Sequence, residues 1–299
     1  RQFSITSFIQ DGTNSYQQEY GTLSTNVGLG FFEWVKNEEG WTYRFFPAKP
    51  LFNNYDVSIL SIGILDQSQN IGISTINLEG TSMSQFTESE QVIPAGSSGT
   101  VVSYGTSYRS AKSRIFIQDS EGFVHGTEVT TIHDGTNASI LKFGDLVSTP
   151  IEYIYGDSEI GTFDANIVGN NVEVSFTPNA GVGATVFASN LLMSASATGV
   201  SSERMKISRF TTNYVSISAS ATPTAHNITS YGNPFTSGSY VIQVSDTTNN
   251  KHFVTEAVAL NNNVTEDFAT FGGAQSSKGF NLGTFGVTND TSNTIIQFT

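Results

Sequence analysis

The sequence Asp-Gly-Thr-Asn occurs twice in this chain, from Asp11 to Asn14 and from Asp134 to Asn137. Each copy is followed by an aromatic residue, a glycine and a leucine, namely Tyr20, Gly21 and Leu23, and Phe143, Gly144 and Leu146. An Asp-Gly pair between short apolar segments is typical of a hairpin turn, because glycine takes the positive φ that closes it. The doubled stretch predicts a repeated β protein, in which Asp11, Gly12, Asp134 and Gly135 are structural turn residues.

Further matches extend the repeat along the whole chain. Gly30, Phe32 and Phe45 match Gly161, Phe163 and Phe176, and each pair is 131 residues apart. A third copy follows, since Gly161-Thr162-Phe163 matches Gly283-Thr284-Phe285 at a distance of 122 residues. Between the copies, Ser103-Tyr104-Gly105 matches Ser230-Tyr231-Gly232. The period is about 125 residues, which is typical of a modular repeat protein.

The amino-acid composition and the alternation of apolar with polar residues predict the fold class. The 299 residues include 28 glycines, 22 phenylalanines and 11 tyrosines but only 3 methionines, a composition of strands and turns rather than helices. Val172, Val174 and Phe176 alternate with Glu173 and Ser175, as in a strand with one buried face. We therefore expect an all-β protein of tandem antiparallel β-sandwich modules in an elongated repeat arrangement.

The repeat pattern divides the chain into five predicted parts. Partial β modules cover residues 1–62 and 239–299, a complete β module covers residues 113–194, and shorter intervening β modules cover residues 63–112 and 195–238. The chain thus enters and leaves the repeat midway. One hypothesis is that it is a segment of a longer protein, and the other is that neighbouring subunits supply the missing strands. An intact mass well above that of 299 residues would favour the first.

Charge and cysteine content exclude several classes of function. The formal net charge of −13 argues against nucleic-acid binding, because neutralising phosphates requires lysine and arginine. The absence of cysteine excludes disulfides and thiol chemistry. No apolar run approaches the length of a membrane-spanning helix, so no membrane insertion is predicted.

An aromatic cluster between residues 31 and 46 has two interpretations. Flat rings suit sugar faces, but most of these positions align with apolar positions of the second copy, as core positions should. The predicted core is Phe32, Trp41, Phe45, Phe163, Val172, Val174 and Phe176. Trp34 aligns with Ala165 and remains the candidate glycan contact.

The sequence predicts no catalytic residue, no cofactor and no metal site. Each Asp-Gly-Thr-Asn turn has one carboxylate, whereas a calcium loop needs several oxygen ligands. The four histidines, at positions 125, 133, 226 and 252, have no short-spaced pair suited to zinc and are expected in solvated loops or turns. Acidic pairs such as Glu88 and Glu90 do not recur in the repeat.

The second copy also resembles a known protein family. Tyr108-Arg109-Ser110-Ala111-Lys112, Ile115-Phe116-Ile117-Gln118-Asp119 and Ile132-His133-Asp134-Gly135-Thr136-Asn137 resemble a repeated module of virion structural proteins in large tailed cyanophages. The resemblance covers one full copy closely and the other two partially, and the Trp-rich first copy departs from it. It implies a fibre, a tail or neck appendage, or a capsid decoration, and brings no catalytic residues.

Together these observations predict a non-enzymatic virion structural protein of a tailed phage. The expected location is the surface of the extracellular particle, and the expected partners are other virion proteins and copies of the chain itself in a homo-oligomer. The alternatives are an adhesin that binds a host-surface glycan and, third, a polysaccharide depolymerase.

Overall fold

A computed structural model describes most of the chain and confirms the predicted all-β class. It describes residues 2–10, 15–24, 29–37, 40–48, 75–77, 84–148, 160–179, 181–194, 201–204, 209–213, 215–218, 224–232, 237–261, 266–277, 280–290 and 292–299. These residues form strands, turns and bends and contain no helix. Accordingly, no helix that could cross a membrane is found among them.

The described residues form 21 strands. In chain order they are β1 Gln2–Gln10, β2 Ser15–Ser24, β3 Gly30–Asn37, β4 Gly40–Pro47, β5 Thr75–Asn77, β6 Ser84–Ile93, β7 Gly99–Gly105, β8 Tyr108–Asp119, β9 Val124–His133, β10 Ala138–Val147, β11 Gly161–Val168, β12 Asn171–Pro178, β13 Ala184–Ser194, β14 Ser201–Arg204, β15 Arg209–Thr212, β16 His226–Gly232, β17 Ser237–Asp246, β18 Lys251–Asn261, β19 Glu266–Gln275, β20 Phe285–Asn289 and β21 Asn293–Phe298.

The strands form several small sheets, and every described strand pair is antiparallel. The largest sheet has the order β10-β9-β8-β13-β6-β5. Three-stranded sheets have the orders β11-β12-β7, β16-β21-β20 and β17-β18-β19. The pairs β1-β2, β3-β4 and β14-β15 are two-stranded.

One apolar core joins the six-stranded sheet to the sheet of β7, β11 and β12. Alternation along β12 buries Val172, Val174 and Phe176 completely, and all three are 0% exposed. The core also contains Ile93 and Val102 from β6 and β7, together with residues of β8 and β13. Tyr104 connects the two sheets through a 2.7 Å hydrogen bond between its hydroxyl and that of Thr131.

The strand pairing differs from the predicted division into modules. The boundary predicted between residues 112 and 113 falls inside β8, and the one between 238 and 239 falls inside β17. Strands β6 and β7, placed in an intervening module, share sheets and a core with β8 to β13. The repeat pattern suggested a separate unit, but antiparallel pairing between distant residues decides which strands share a core.

A hairpin with an irregular register occurs three times. In β9-β10, Glu128 faces Phe143, and beyond the irregularity Gly126 faces Leu146. The register shifts in the same way in the other two pairs. In β1-β2 the irregularity lies between the pair Ile5 and Tyr20 and the pair Phe3 and Leu23. In β18-β19 it lies between the pair Glu256 and Phe271 and the pair Val254 and Ala274. We call these three pairs the bulged hairpins.

A second type of hairpin also occurs three times, as β3-β4, β11-β12 and β20-β21. In each one a phenylalanine pairs directly with a phenylalanine on the opposite strand, and the ring centroids lie 5.0, 4.8 and 5.0 Å apart. A glycine two residues before the first ring lies against the second ring, as Gly161 does against Phe176. We call these pairs the Gly-Phe hairpins.

The three bulged hairpins contact one another. Ile9 of β1 packs with Val124 and Leu146. At the corresponding position of the second hairpin, Ile132 packs with Val254 and Ala274 of the third. Strand β2 also contacts β18 and β19. An elongated arrangement predicts contacts between successive repeats only, so the contact between the first and third hairpins differs from that expectation.

Candidate functional site

The predicted turn residues Asp134 and Gly135 lie between β9 and β10. The Asp134 carboxylate accepts hydrogen bonds from the backbone N–H groups of Thr136, at 2.8 Å, and Asn137, at 2.7 Å. Gly135 has a φ of 97°, which few other residues adopt at low cost. The equivalent residues Asp11 and Gly12 lie outside the described part of the chain.

Other aspartates have the same role as Asp134. Asp246 accepts backbone hydrogen bonds from Thr248 and Asn249, and Asp290 accepts them from Ser292 and Asn293. The hydrogen bonds from Asn249 lower the pKa of Asp246, since they favour the charged carboxylate. Within the described ranges, no three His, Cys, Asp or Glu side chains are grouped so that they could hold a metal ion.

The predicted core residues have different degrees of burial. Val172, Val174 and Phe176 are fully buried, whereas Phe163 is half-buried against the Phe176 ring. Phe32 and Phe45 are also half-buried. Trp34 pairs with Tyr43, and Trp41 with Lys36, through the backbone of β3 and β4, but both tryptophan side chains lie outside what the structure describes.

The first Gly-Phe hairpin has an outward aromatic pair that the other two lack, formed by the exposed Phe31 and the half-buried Phe46. Phe31 is 57% exposed and stacks on Phe46 with a centroid distance of 5.2 Å. The equivalent outward positions in the other hairpins hold exposed threonines, which are Thr162, Thr177, Thr284 and Thr299. The repeat alignment identified the buried aromatic positions but missed this outward pair.

Three of the four histidines are buried, so the expectation of solvated loop histidines is wrong for them. His125, His133 and His252 are at most 1% exposed. His133 Nε2 donates to the Tyr108 carbonyl at 2.8 Å, and its Nδ1 accepts from the Gly135 N–H at 3.1 Å. Only the neutral ring can make both hydrogen bonds.

His252 lies close to this histidine, at the contact between the second and third bulged hairpins. The amide of Asn250, two residues before it, donates to the Asp134 carbonyl at 2.9 Å. Burial, the positive charge of Arg109 and the nearby His133 together lower the pKa of His252 to about 4. Burial also lowers the pKa of His133. Both rings are therefore neutral at pH 7.

A buried ionic cluster spans the same contact and forms the most distinctive polar site in the described residues. Lys112 of β8 makes ion pairs with Glu128 of β9, at 2.8 Å, and with Glu256 of β18. The three side chains are 4% or 5% exposed. Arg114 donates to Glu128 from the more exposed side, at 3.0 Å. We call Lys112, Arg114, Glu128 and Glu256 the ionic cluster.

An aromatic ring lies beside the ionic cluster. The Lys112 amine lies 5.4 Å from the centroid of the Phe143 ring. A Cβ atom at Gly272 would lie 3.0 Å from the same ring. Burial raises the pKa of Glu256, the charge of Lys112 opposes this rise, and the negative Glu128 adds to it. The arrangement places an amine within reach of two carboxyl groups, with little water around them.

The ionic cluster was not predicted from the sequence. The signal was present, because three charged residues occupy strands in which most neighbours are apolar or small. The repeat alignment could not predict that these side chains lie in contact, because Lys112 and Glu256 belong to different sheets. A nearby series of hydrogen bonds also joins residues from different sheets. The Ser110 hydroxyl donates to the Gln243 side-chain oxygen at 2.6 Å, and the Gln243 amide donates to the Ser194 carbonyl.

A shallow polar groove occurs elsewhere, between β16 and the turn before β21. Its lining includes Asn213, Asn227, Asp290 and Asn293. The Asp290 carboxylate already accepts hydrogen bonds from its own turn, so it is not free to bind a ligand. The ionic cluster and the outward Phe31–Phe46 pair are thus the stronger candidates.

Comparison with known proteins adds no relative to this description. The chain matches no protein-family model, and no curated protein matches its sequence significantly.

Proposed function

We propose that this chain is a non-enzymatic structural protein of a tailed-phage particle. In this proposal it is exposed on the particle surface, as a fibre, a tail or neck appendage, or a capsid decoration. It binds other virion proteins and copies of itself. The proposal combines the resemblance of residues 108–137 to virion repeat proteins with the physical character of the molecule.

The observation that carries the proposal is the recurrence of two hairpin types, with the bulged hairpins held together by buried contacts. Equivalent strand registers at three places are typical of modules whose purpose is to be stacked or clustered. We propose that β6 to β13 form one antiparallel β-sandwich module and that β16 to β21 belong to a second. Clustering through the bulged hairpins replaces the elongated arrangement that the sequence suggested.

Locating the protein on particles tests this proposal. Particles of the virus that encodes the chain would be purified on a density gradient and analysed by mass spectrometry and immunogold labelling. We expect the protein in the particle fraction, in a fixed ratio to the major capsid protein, with gold at one defined position. Recovery only from the soluble lysate, away from particles, would refute a virion role.

A host-glycan adhesin is the second candidate, and the outward Phe31–Phe46 pair favours it. Exposed aromatic faces stack on sugar rings, and the equivalent hairpins have threonines at these positions. We expect the double substitution Phe31→Thr and Phe46→Thr to abolish binding on a glycan array if this alternative is correct. Thr162→Ala with Thr177→Ala, at the equivalent positions of the second Gly-Phe hairpin, is the matched control.

The same glycan array, with an assay for reducing sugars, distinguishes a Trp34 glycan contact, a purely structural role and a depolymerase. Trp34→Ala tests the glycan contact that the sequence suggested. A purely structural role predicts no glycan signal for the wild-type chain, and loss of folding only when core positions such as Trp41 or Phe45 are changed. Release of reducing sugars from a polysaccharide by the purified protein would instead support the depolymerase alternative.

A further inference from the structure

The ionic cluster has the parts needed for a covalent reaction. The Lys112 amine is buried under the Phe143 ring and between two carboxyl groups. A lysine amine is a recognised nucleophile when the fold holds it beside an electrophilic group. Groups that the fold already holds in contact also react much faster than free groups, because no further entropy is lost in bringing them together.

Charge balance distinguishes the two carboxyl groups. Glu128 faces Arg114 as well as Lys112, and the guanidinium at 3.0 Å favours its ionised form. Glu256 has Lys112 as its only cationic ion-pair partner in the described structure, and its Oε1 has no hydrogen-bond partner there. Burial raises the pKa of Glu256, which favours the protonated acid. A protonated carboxyl group is an electrophile, whereas a carboxylate is not.

We propose that Lys112 and Glu256 form an intramolecular isopeptide bond, with Glu128 as the proton carrier. A proton first passes from the Lys112 ammonium to the Glu256 carboxylate within their ion pair. The amine so formed attacks Cδ of the protonated Glu256 and forms a bond between Nζ and Cδ. Glu128 accepts the proton that Nζ loses and delivers it to the departing hydroxyl oxygen. The bond between Cδ and that oxygen breaks, and one water molecule leaves. No oxidant, reductant or cofactor is consumed.

The product has a simpler electrostatic balance than the starting cluster. Two buried charges, on Lys112 and Glu256, are replaced by one neutral amide, which removes the cost of keeping them out of water. Glu128 and Arg114 remain as an ion pair at the edge of the site, where Arg114 is 37% exposed. The bond would join β8 to β18 and so fasten the third bulged hairpin to the six-stranded sheet.

The intact mass of the purified full chain tests the proposal directly. We expect a mass lower by one water molecule than the sequence requires, measured after complete unfolding. Proteolysis should release a branched peptide that joins the Lys112 segment to the Glu256 segment. A wild-type chain that unfolds cooperatively but has the full sequence mass would refute the bond, and a branch to Glu128 would refute the assignment of the electrophile.

Variants assign the roles. Lys112→Arg and Glu256→Ala should retain the full mass because each lacks one reacting group. Glu128→Ala should also retain it, although both reacting groups are present, because the proton carrier is gone. Glu121→Gln, which changes an exposed glutamate, is the matched control and should lose one water like the wild type. Water loss that persists in Glu256→Ala would overturn the proposal.

Discussion

Gly161 shows how one residue type can be required by packing alone. A side chain at this position would meet the backbone carbonyl oxygen of Thr177 and the Phe176 ring, since a Cβ atom would lie 2.5 Å from Cζ and 2.8 Å from Cε2 of that ring. Phe176 is fully buried. Equivalent contacts exist between Gly30 and Phe45 and between Gly283 and Phe298.

We therefore expect Gly161→Ala to destabilise the protein. Overpacking of this kind costs about 1–3 kcal/mol of unfolding free energy. Urea unfolding followed by tyrosine and tryptophan fluorescence measures the effect. Gly286→Ala is the control, because Gly286 lies in the third Gly-Phe hairpin but has open space around its Cα. Equal destabilisation by both substitutions would show that the Phe176 contact is not the cause.

At the scale of elements, the bulged hairpin is the unit that recurs and also the unit that makes contacts. Its irregularity includes Gly144 in the second hairpin, with a φ of 69°, and Gly272 in the third, with a φ of 62°. Gly272 has a further constraint, because its Cα faces the Phe143 ring of the neighbouring hairpin. One glycine thus serves both the bulge and the contact between hairpins.

Gly272→Ala should weaken this contact as well as the bulge. The left-handed conformation costs roughly 1–2 kcal/mol for a residue with a side chain, and crowding against Phe143 adds about 1–3 kcal/mol. Hydrogen exchange of β19 amides should accelerate accordingly. Gly135→Ala is the control, since its φ is also positive but open space surrounds it. Faster exchange in β19 for Gly135→Ala as well would argue against the Phe143 contact.

At the scale of the whole molecule, buried histidines couple the packing of β9 and β10 against β18 and β19 to pH. His252 has a pKa of about 4 in the folded protein, below its usual value of about 6.5 in an unfolded chain. The unfolded state therefore binds a proton more readily as the pH falls from about 6.5 to about 4. His133 acts in the same direction, because protonation of Nδ1 breaks its bond with Gly135.

We expect stability to decrease as the pH falls through this window and His252→Asn to reduce the decrease. Thermal unfolding at a series of pH values, for the wild type and the variant, provides the comparison. His226→Asn is the control, because His226 is not part of the buried cluster. In chains that lack the proposed isopeptide bond, Glu256 opposes the trend, since its raised pKa means that protonation stabilises the fold. Identical pH profiles for the wild type and His252→Asn would exclude His252 as the source.

The sequence by itself determined the strand class and the repeated local units. Alternation of Val172, Val174 and Phe176 with polar residues gives a half-buried strand wherever it occurs, and the glycine and phenylalanine spacing gives the same hairpin each time. These features depend on residues close together in the chain, so their geometry follows from local backbone and side-chain preferences. The asparagine- and aspartate-rich turns are local for the same reason.

Only the tertiary structure decided which strands share a core and which charges meet. Strand β7 pairs with β12 across more than sixty residues, and Lys112 meets Glu256 from another sheet. Such pairings depend on the balance of burial and desolvation over the whole molecule, which no short window of sequence contains. The same balance buried His125, His133 and His252 and brought the first and third bulged hairpins together, where local patterns predicted solvated histidines and an extended row of modules.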